Sequence, residues 1–446
     1  MISFIKSKIF PILLVNFLGI LGYSLMLPIL IFIVSDFGGN GFLYGLIGAM
    51  YPFFQLIGAP RLGKLSDRIG RKKVLIITQL GSFLAWSLFL VAFFIPNIPI
   101  WSQETIITGK YVMTLPLLLL FVARLIDGFT GGNISVANAY ISDISTDEDR
   151  SKNFGLIGTS TSLGLAVGPA VSAVLAATFL GTLLPLTLAA LAALLTAYII
   201  NKRLTESNPC VGNSSLPSFS NLGQLFKAEK KDCYEEKEQG ARNNWNEILA
   251  IKGIPTMYLL YFLTYLALNL FTVVLPIYTA STLHWTVAEL GIFLAYYSFV
   301  TMIAQGPILS KVANYINDRS LMLTGALLLA TGFALLTGKT VLVLYIAVSI
   351  MALGNGILWP SFLALLSTMG PASRRGAIQG YGASMGSMAS IIGLILGGAL
   401  FDFLGTTVFI IGAGIFLVIA VILGLAFFSI HKKQNSKASR FSSQLD

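Results

Sequence analysis

Twelve apolar runs, each of roughly 18 residues or more, occupy most of this chain. They fall at 9–34, 42–62, 74–95, 113–140, 154–178, 182–201, 254–279, 287–309, 320–338, 341–367, 377–400 and 407–430. A run of that length crosses a bilayer as a helix, because the helix satisfies its own backbone hydrogen bonds where no water can. The composition agrees. Only 11% of the residues are charged and 55% are hydrophobic, against about a quarter charged in soluble domains, so little polar surface is left to face water. The first run is too long for a signal peptide and no cleavage site follows it, so no cleavable leader is expected. The chain reads as an all-α membrane protein of twelve transmembrane helices.

The segment 202–253 differs in kind, with "VGNSSLPSFSN" and "KAEKKDCYEEKEQGAR". It is polar, of mixed charge and low in apolar residues. It divides the chain into a six-helix bundle at 1–201, a central loop at 202–253, a second bundle at 254–430 and a tail at 431–446. Cys210 and Cys233 both lie in this loop and read as reduced thiols. Of the 29 Lys and Arg, all but Lys110, Lys339 and Arg124 fall on the side of the N-terminus. Such asymmetry puts both termini and the central loop in the cytoplasm. The net charge of +10 serves this topology, and nucleic acid is not an expected partner because the basic residues lie between apolar segments. The halves echo each other: "LMLPILIF" around Pro28 pairs with "VVLPIYTA" around Pro276, Gly45 with Gly291, and Tyr51 with Tyr297. Parallel six-helix halves related by an axis along the membrane normal form a transporter architecture with a site between them.

One loop goes beyond topology. "GKLSDRIGRKK", Gly63 to Lys73, carries five basic residues and Asp67 in eleven positions. Anchoring a loop in the cytoplasm needs only the basic ones. The stretch resembles the G-x-L-x-D-R-x-G-R-K-K signature between helices 2 and 3 of the major facilitator superfamily. "ARLIDGFTGG" in helix 4 is similar to the R-x-x-x-G element of the proton-driven drug exporters. "GLIGTSTSLGLAVGPAVSA" in helix 5 resembles the antiporter signature, matching at Gly155, Gly164, Gly168 and Pro169. "AYISDISTDEDRSKNFGLIG" and "QGYGASMGSMASIIG" are similar to the tetracycline-proton antiporters in particular. Two departures stand out. That branch carries an acid nine residues before the proline of "LMLPIL", where this chain has Gly19, and Asp127 replaces a neutral residue in helix 4.

What the resemblance implies is a conformational gate at Gly63, Asp67, Arg68, Gly70, Arg71 and Asp143, with Asp67 facing the start of helix 11 in the inward-closed form and Arg71 bonding to Asp143. The glycines of this loop are read as turn and close-approach positions, and the small residues of helix 5 as packing sites. Arg124 and Asp127 are the two charges placed deep in the membrane, three residues apart on one helical face. They read either as a neutralised structural pair or as a proton-coupling pair. Tyr23, Tyr51, Gln55, Asn133, Tyr265, Asn269, Tyr297, Gln305, Asn355 and Trp359 are polar or aromatic residues within helices and are candidates to line a cavity or to bond between helices. His284 and His431 make no metal site, and no phosphate loop or nucleophile with its base is present, so neither a cofactor nor enzymatic chemistry is expected.

The reading is a monomeric proton-coupled exporter of a small amphipathic organic compound in a bacterial inner membrane, with lipid, substrate and protons as its partners. Two readings stay open beside it: an exporter or importer of a siderophore, sugar or other metabolite, and a transporter-like receptor or scaffold without transport. The topology is directly testable. Gln103→Cys should react from outside intact cells with an impermeant maleimide, while Cys233 should not; external labelling of Cys233 reverses the orientation.

Overall fold

The computed structural model describes residues 9–105, 108–146, 149–208, 245–313, 315–370 and 374–442. Most of the central loop, with Cys210 and Cys233, lies outside the described residues. Among the described residues the chain forms twelve membrane-length helical passages. The first is broken, with Phe10–Leu25 and Leu30–Asp36 meeting at 41°. Pro28 has no N–H to donate and its ring disfavours a helical residue before it, so the run read as one helix becomes two. The second and third spans are Gly41–Ile69 and Arg71–Ala92. The fourth consists of Leu115–Gly131 and Ile134–Ile144. The fifth is Arg150–Ala176 and the sixth Leu183–Arg203. Beyond a short helix at Trp245–Leu249, the seventh is Ile254–Ser281 and the eighth Val287–Val312, which takes a π-turn at Ala304–Ile308 around Pro307. The remaining four are Asp318–Leu335, Val341–Thr368, Arg375–Leu404 and Val408–Ser442.

Helix ends follow local chemistry. Asn40 Oδ1 accepts from the Leu43 N–H at 3.1 Å at the start of the second span, and Asn317 Oδ1 from the Ser320 N–H at 2.9 Å at the start of the ninth. Each is a side-chain oxygen satisfying one of a helix's orphan donors. Three departures from the sequence reading concern ends. The second span continues through Gly63–Ile69, so most of the charged "loop" is helix and only Gly70, at φ 105°, makes the turn. Gly63 is therefore no turning point. The last helix runs to Ser442, through most of what reads as tail. Residues between the third and fourth spans form an antiparallel hairpin, Pro99–Thr105 with Gly109–Thr114, Gln103 opposite Tyr111. Hydropathy follows apolar runs, and a helix that continues on charged side chains, or a short amphipathic hairpin, escapes it.

The chain separates into two compact units. One comprises Met1–Arg242, Leu275–Ala295 and Leu394–Phe403; the other Asn243–Val274, Tyr296–Gly393 and Leu404–Asp446. In lipid the tails are as apolar as leucine, so helices associate through close packing and hydrogen bonds. The first unit uses both. A Cβ added at Gly128 would lie 2.6 Å from the Tyr51 carbonyl oxygen, and one at Gly132 would lie 2.5 Å from the Ala59 nitrogen, so the second and fourth spans touch backbone to backbone. Ser135 Oγ adds a hydrogen bond to the Ala59 carbonyl at 2.8 Å. The first and fifth spans are joined by polar groups: Asn16 Nδ2 donates to Thr161 Oγ1 at 2.8 Å, Ser160 Oγ to the Leu13 carbonyl at 2.7 Å and Ser24 Oγ to the Gly164 carbonyl at 2.8 Å. The second unit repeats the glycine device, with Gly325 and Gly354 each facing the other's carbonyl across the ninth and tenth spans. Phe271, Phe333 and Phe416 form an aromatic chain within it.

These contacts set opposite signs for one substitution at two glycines. Gly128→Ala forces two backbones apart and should cost about 1–3 kcal/mol, the usual range for overpacking. Gly158→Ala meets nothing within 4 Å and should stabilise by up to about 1 kcal/mol through helix propensity. Thermal unfolding of the two variants in detergent reads the difference.

Candidate functional site

Close approach of the second and fourth spans decides where Asp127 lies. Gly128 must face Tyr51, so the preceding residue turns inward. Arg124 Nη1 meets Asp127 Oδ2 at 3.3 Å, with side chains 5% and 7% exposed. The guanidinium also lies over the Phe89 ring, 5.4 Å from its centroid, a cation–π contact worth about 2 kcal/mol where water is excluded. Among the described residues Arg124 Nε has no hydrogen-bond partner. The pair is thus held by a single contact, without the bidentate geometry that gives an arginine–carboxylate pair its full strength.

Asp127 shares the wall of a cavity among the helices with Tyr23, Tyr51, Gln55 and Asn133. The Tyr23 and Tyr51 rings are 4.9 Å apart. Gln55 Nε2 donates to the Gly131 carbonyl at 3.1 Å and to the Tyr51 hydroxyl at 3.4 Å. All of this lies within the first unit. The other six nominated residues are in the second unit and outside this cavity. There they join helices: Asn269 Nδ2 donates to Ser390 Oγ at 3.0 Å, linking the seventh and eleventh spans, and Asn355 Nδ2 to the Tyr297 hydroxyl at 3.3 Å, linking the tenth and eighth. Tyr265 stacks on Tyr261 and meets Trp359 edge-on, each at 5.1 Å. Gln305 lies in the π-turn. The sequence reading missed Asn16, Gln79, Ser82 and Trp86, which also line the cavity. Gln79, Ser82 and Trp86 share a face of the third span at spacings of three and four, a pattern present in "TQLGSFLAW".

The charged cluster is centred on Arg71, whose side chain is 6% exposed. Nη2 meets Asp67 Oδ1 at 2.6 Å, Nε meets Asp143 Oδ2 at 3.2 Å, and Nη1 donates to Ser66 Oγ at 2.5 Å. Gly70 offers no side-chain cap to the third span. Glu206, just beyond the sixth span, supplies one: its carboxylate accepts from the Arg71 and Lys72 backbone N–H groups at 2.8 and 3.2 Å. An anion here also meets the positive end of the helix dipole. Asn208 Nδ2 donates to the Asp67 carbonyl at 2.8 Å, and Ser207 Oγ to Asp143 Oδ2 at 3.2 Å. No local pattern marks Glu206 as a cap, since its partners are more than 130 residues away. Arg68 is exposed. In the fifth span, Gly164 packs on Ile20 and Gly168 on Ser24, while Pro169 places its carbonyl against Gly291. Gly155 departs from the packing expectation: it is exposed, and a Cβ there meets nothing within 4 Å. Among the described residues no group of three or more His, Cys, Asp or Glu is placed to hold a metal ion.

Twelve spans with a cavity among the helices and, in its wall, the carboxylate of a buried charge pair define a multi-pass membrane protein built as a transporter. The sequence matches the Major Facilitator Superfamily over residues 12–229 and 257–444, and the chain belongs to that family. It is 25% identical over 439 residues to the tetracycline resistance protein, class B, of Escherichia coli, covering 95% of this chain and 97% of that one. It is 24% identical over 406 residues to multidrug resistance protein 2 of Bacillus subtilis, covering 89% and 90%. Among solved structures it is similar to a D-xylose-proton symporter, with a TM-score of 0.70, 17% identity and coverage of 94% and 97%. It is also similar to the human organic anion transporter TETRAN, with a TM-score of 0.62, 18% identity and coverage of 93% and 98%.

The Arg71 geometry makes a sharp contrast available. Arg71→Leu removes the donor to the buried Ser66 hydroxyl and leaves Asp143 with Ser207 alone, and should cost about 1–3 kcal/mol, the penalty for undersatisfied buried polar groups; the contact to Asp67, whose side chain is 39% exposed, adds little. Lys64→Ala, at an exposed position of the preceding helix, should stay within about 0.5 kcal/mol. Thermal unfolding of both variants in detergent distinguishes them.

Proposed function

We propose that this protein is a proton-coupled antiporter that exports a small amphipathic organic compound by alternating access. The observation that carries the reading is the Asp127 carboxylate: buried, in the cavity wall, and held by one 3.3 Å contact to Arg124. A carboxylate taken out of water must be paired or protonated. Here the pairing is weak enough for a proton to replace it. A proton arriving on Asp127 frees Arg124 from its counter-charge and changes the charge of the cavity by one unit, and that change biases one facing of the cavity over the other. The names of the similar resistance proteins support export of a drug-like cargo. The bundles at 1–201 and 254–430 are the two halves that alternating access requires. The Asp67–Arg71–Asp143 cluster would act as the cytoplasmic gate, since contacts made in only one state shift the balance between states. The distribution of Lys and Arg supports cytoplasmic termini and residence in a bacterial inner membrane.

A second reading, uptake of a sugar or other metabolite, has one observation in its favour. Gly19 stands where the tetracycline branch carries an acid. The direction of a pH-driven flux separates the two.

The test is purified protein in liposomes with an imposed pH gradient, using tetracycline and ethidium as first probes. The wild type should accumulate a probe against its gradient. Asp127→Asn should lose that accumulation at least tenfold while retaining passive exchange. The substitution leaves Arg124 buried without its partner, which costs about 3–5 kcal/mol, so monodispersity on size exclusion is checked alongside. A folded Asp127→Asn protein that still pumps makes the pair structural.

A further inference from the structure

At the cavity, the third span presents two hydrogen-bond donors that no other described residue uses. Gln79 is 4% exposed and Trp86 3%, and both line the cavity. Among the described residues neither the Gln79 amide nor the Trp86 indole N–H has a hydrogen-bond partner. Neither N–H group is sealed off: both open onto the cavity, where a bound molecule can take them. They are seven residues apart, two helical turns or about 10 Å along the helix. Ser82 lies between them, already engaged with Thr130 Oγ1 at 3.2 Å.

The facing side of the first span is cut back at both donors. A Cβ at Gly19 would lie 3.8 Å from Gln79 Nε2, and one at Gly22 would lie 3.9 Å from Trp86 Nε1. A methyl group fits at either place, whereas a longer side chain would cover the N–H groups. The two glycines therefore keep both donors accessible from the cavity. An acid at position 19 would instead stand beside the Gln79 amide and occupy it. The Tyr23 and Tyr51 rings, 4.9 Å apart, supply an aromatic surface within the same cavity.

We infer that Gln79 and Trp86 are substrate-binding residues, and that the cavity takes an amphipathic molecule whose one edge carries at least two oxygen acceptors, carbonyl or hydroxyl, spaced over about two helical turns. The amide of Gln79 also accepts, so the edge can carry a donor at that end. The indole N–H of Trp86 donates only. That one-way chemistry suits a fixed ligand acceptor better than a relay passing protons along a file of waters. The inference rests on the proposed transport reading and names the class of cargo for it.

Equilibrium dialysis with the purified full-length protein tests this, using tetracycline, whose edge is rich in carbonyl and hydroxyl oxygens, and ethidium, a planar cation without oxygen acceptors. Gln79→Leu and Trp86→Phe remove the donors while keeping most of the side-chain volume. Each should weaken tetracycline binding about tenfold, leave ethidium unchanged and leave the unfolding midpoint without probe no lower than that of wild type. Gly19→Leu should block tetracycline, and Gly19→Ala should not. The inference is overturned by wild-type tetracycline affinity in both donor variants, by absence of tetracycline binding to folded wild type, by equal losses for ethidium, or by lowered midpoints in both variants. A change in proton coupling with binding intact assigns the face to a water path and overturns it as well. Because dialysis needs no gradient, the expected binding pattern together with a failure of pH-driven transport would remove the antiport reading and leave the site standing.

Discussion

The backbone contact between the second and fourth spans underlies both functional regions of the first unit. Gly58, Gly128 and Gly132 leave no room for a side chain between the two helices. At that distance Tyr51 and Gln55 lie beside Asp127 and Gly131 at the cavity, and Gln55 can bond across to the Gly131 carbonyl. Farther along the same pair of helices, Ser135 reaches the Ala59 carbonyl, and Asp143 comes within reach of Arg71 at the start of the third span. One packing constraint thus sets the geometry of the buried pair and of the charged cluster. A bilayer makes this dependence strong, because no hydrophobic driving force compensates for helices held a few tenths of an ångström too far apart.

The two charged sites are built on different principles. Arg71 is saturated: its side chain engages Asp67, Asp143 and Ser66, and its backbone N–H goes to Glu206. Such a cluster holds one arrangement firmly and must be broken as a whole. Arg124 is undersatisfied, with one long contact to Asp127, a stack on Phe89 and an unpaired Nε. A buried ion pair of that quality adds little stability over an apolar pair of the same shape. With Asp127 in the cavity wall, its retention is better accounted for by a charge that changes partners than by one that holds helices together.

The residues nominated for a cavity divide along the same line. In the first unit Tyr23, Tyr51, Gln55 and Asn133 face the cavity with Asp127. In the second unit Asn269, Asn355 and Tyr297 join helices to one another. Residue type could not separate these roles, since an asparagine in a membrane helix serves either equally well. Gln79 and Trp86 are the converse case: each is a single polar or aromatic residue in an apolar run, and only the third dimension shows that among the described residues neither donates a hydrogen bond.

By itself the sequence determined the passages, because twelve long apolar runs in a charge-poor chain have no other stable arrangement than helices in lipid. It also marked the charged stretch around Asp67, the buried position of Arg124 and Asp127, and the family, through motifs whose glycines and charges are local. Tertiary structure alone decided the rest. The continuation of the second span to Ile69 depends on the groups packed around its charged end. The capping of the third span by Glu206 joins residues far apart in the chain, and the idle glycine at 155 differs from Gly164 and Gly168 only in what lies opposite. The accessibility of Gln79 and Trp86 follows from two glycines on another helix. Spacing along one helix says which residues share a face; what that face meets is fixed by helices packed from elsewhere in the chain.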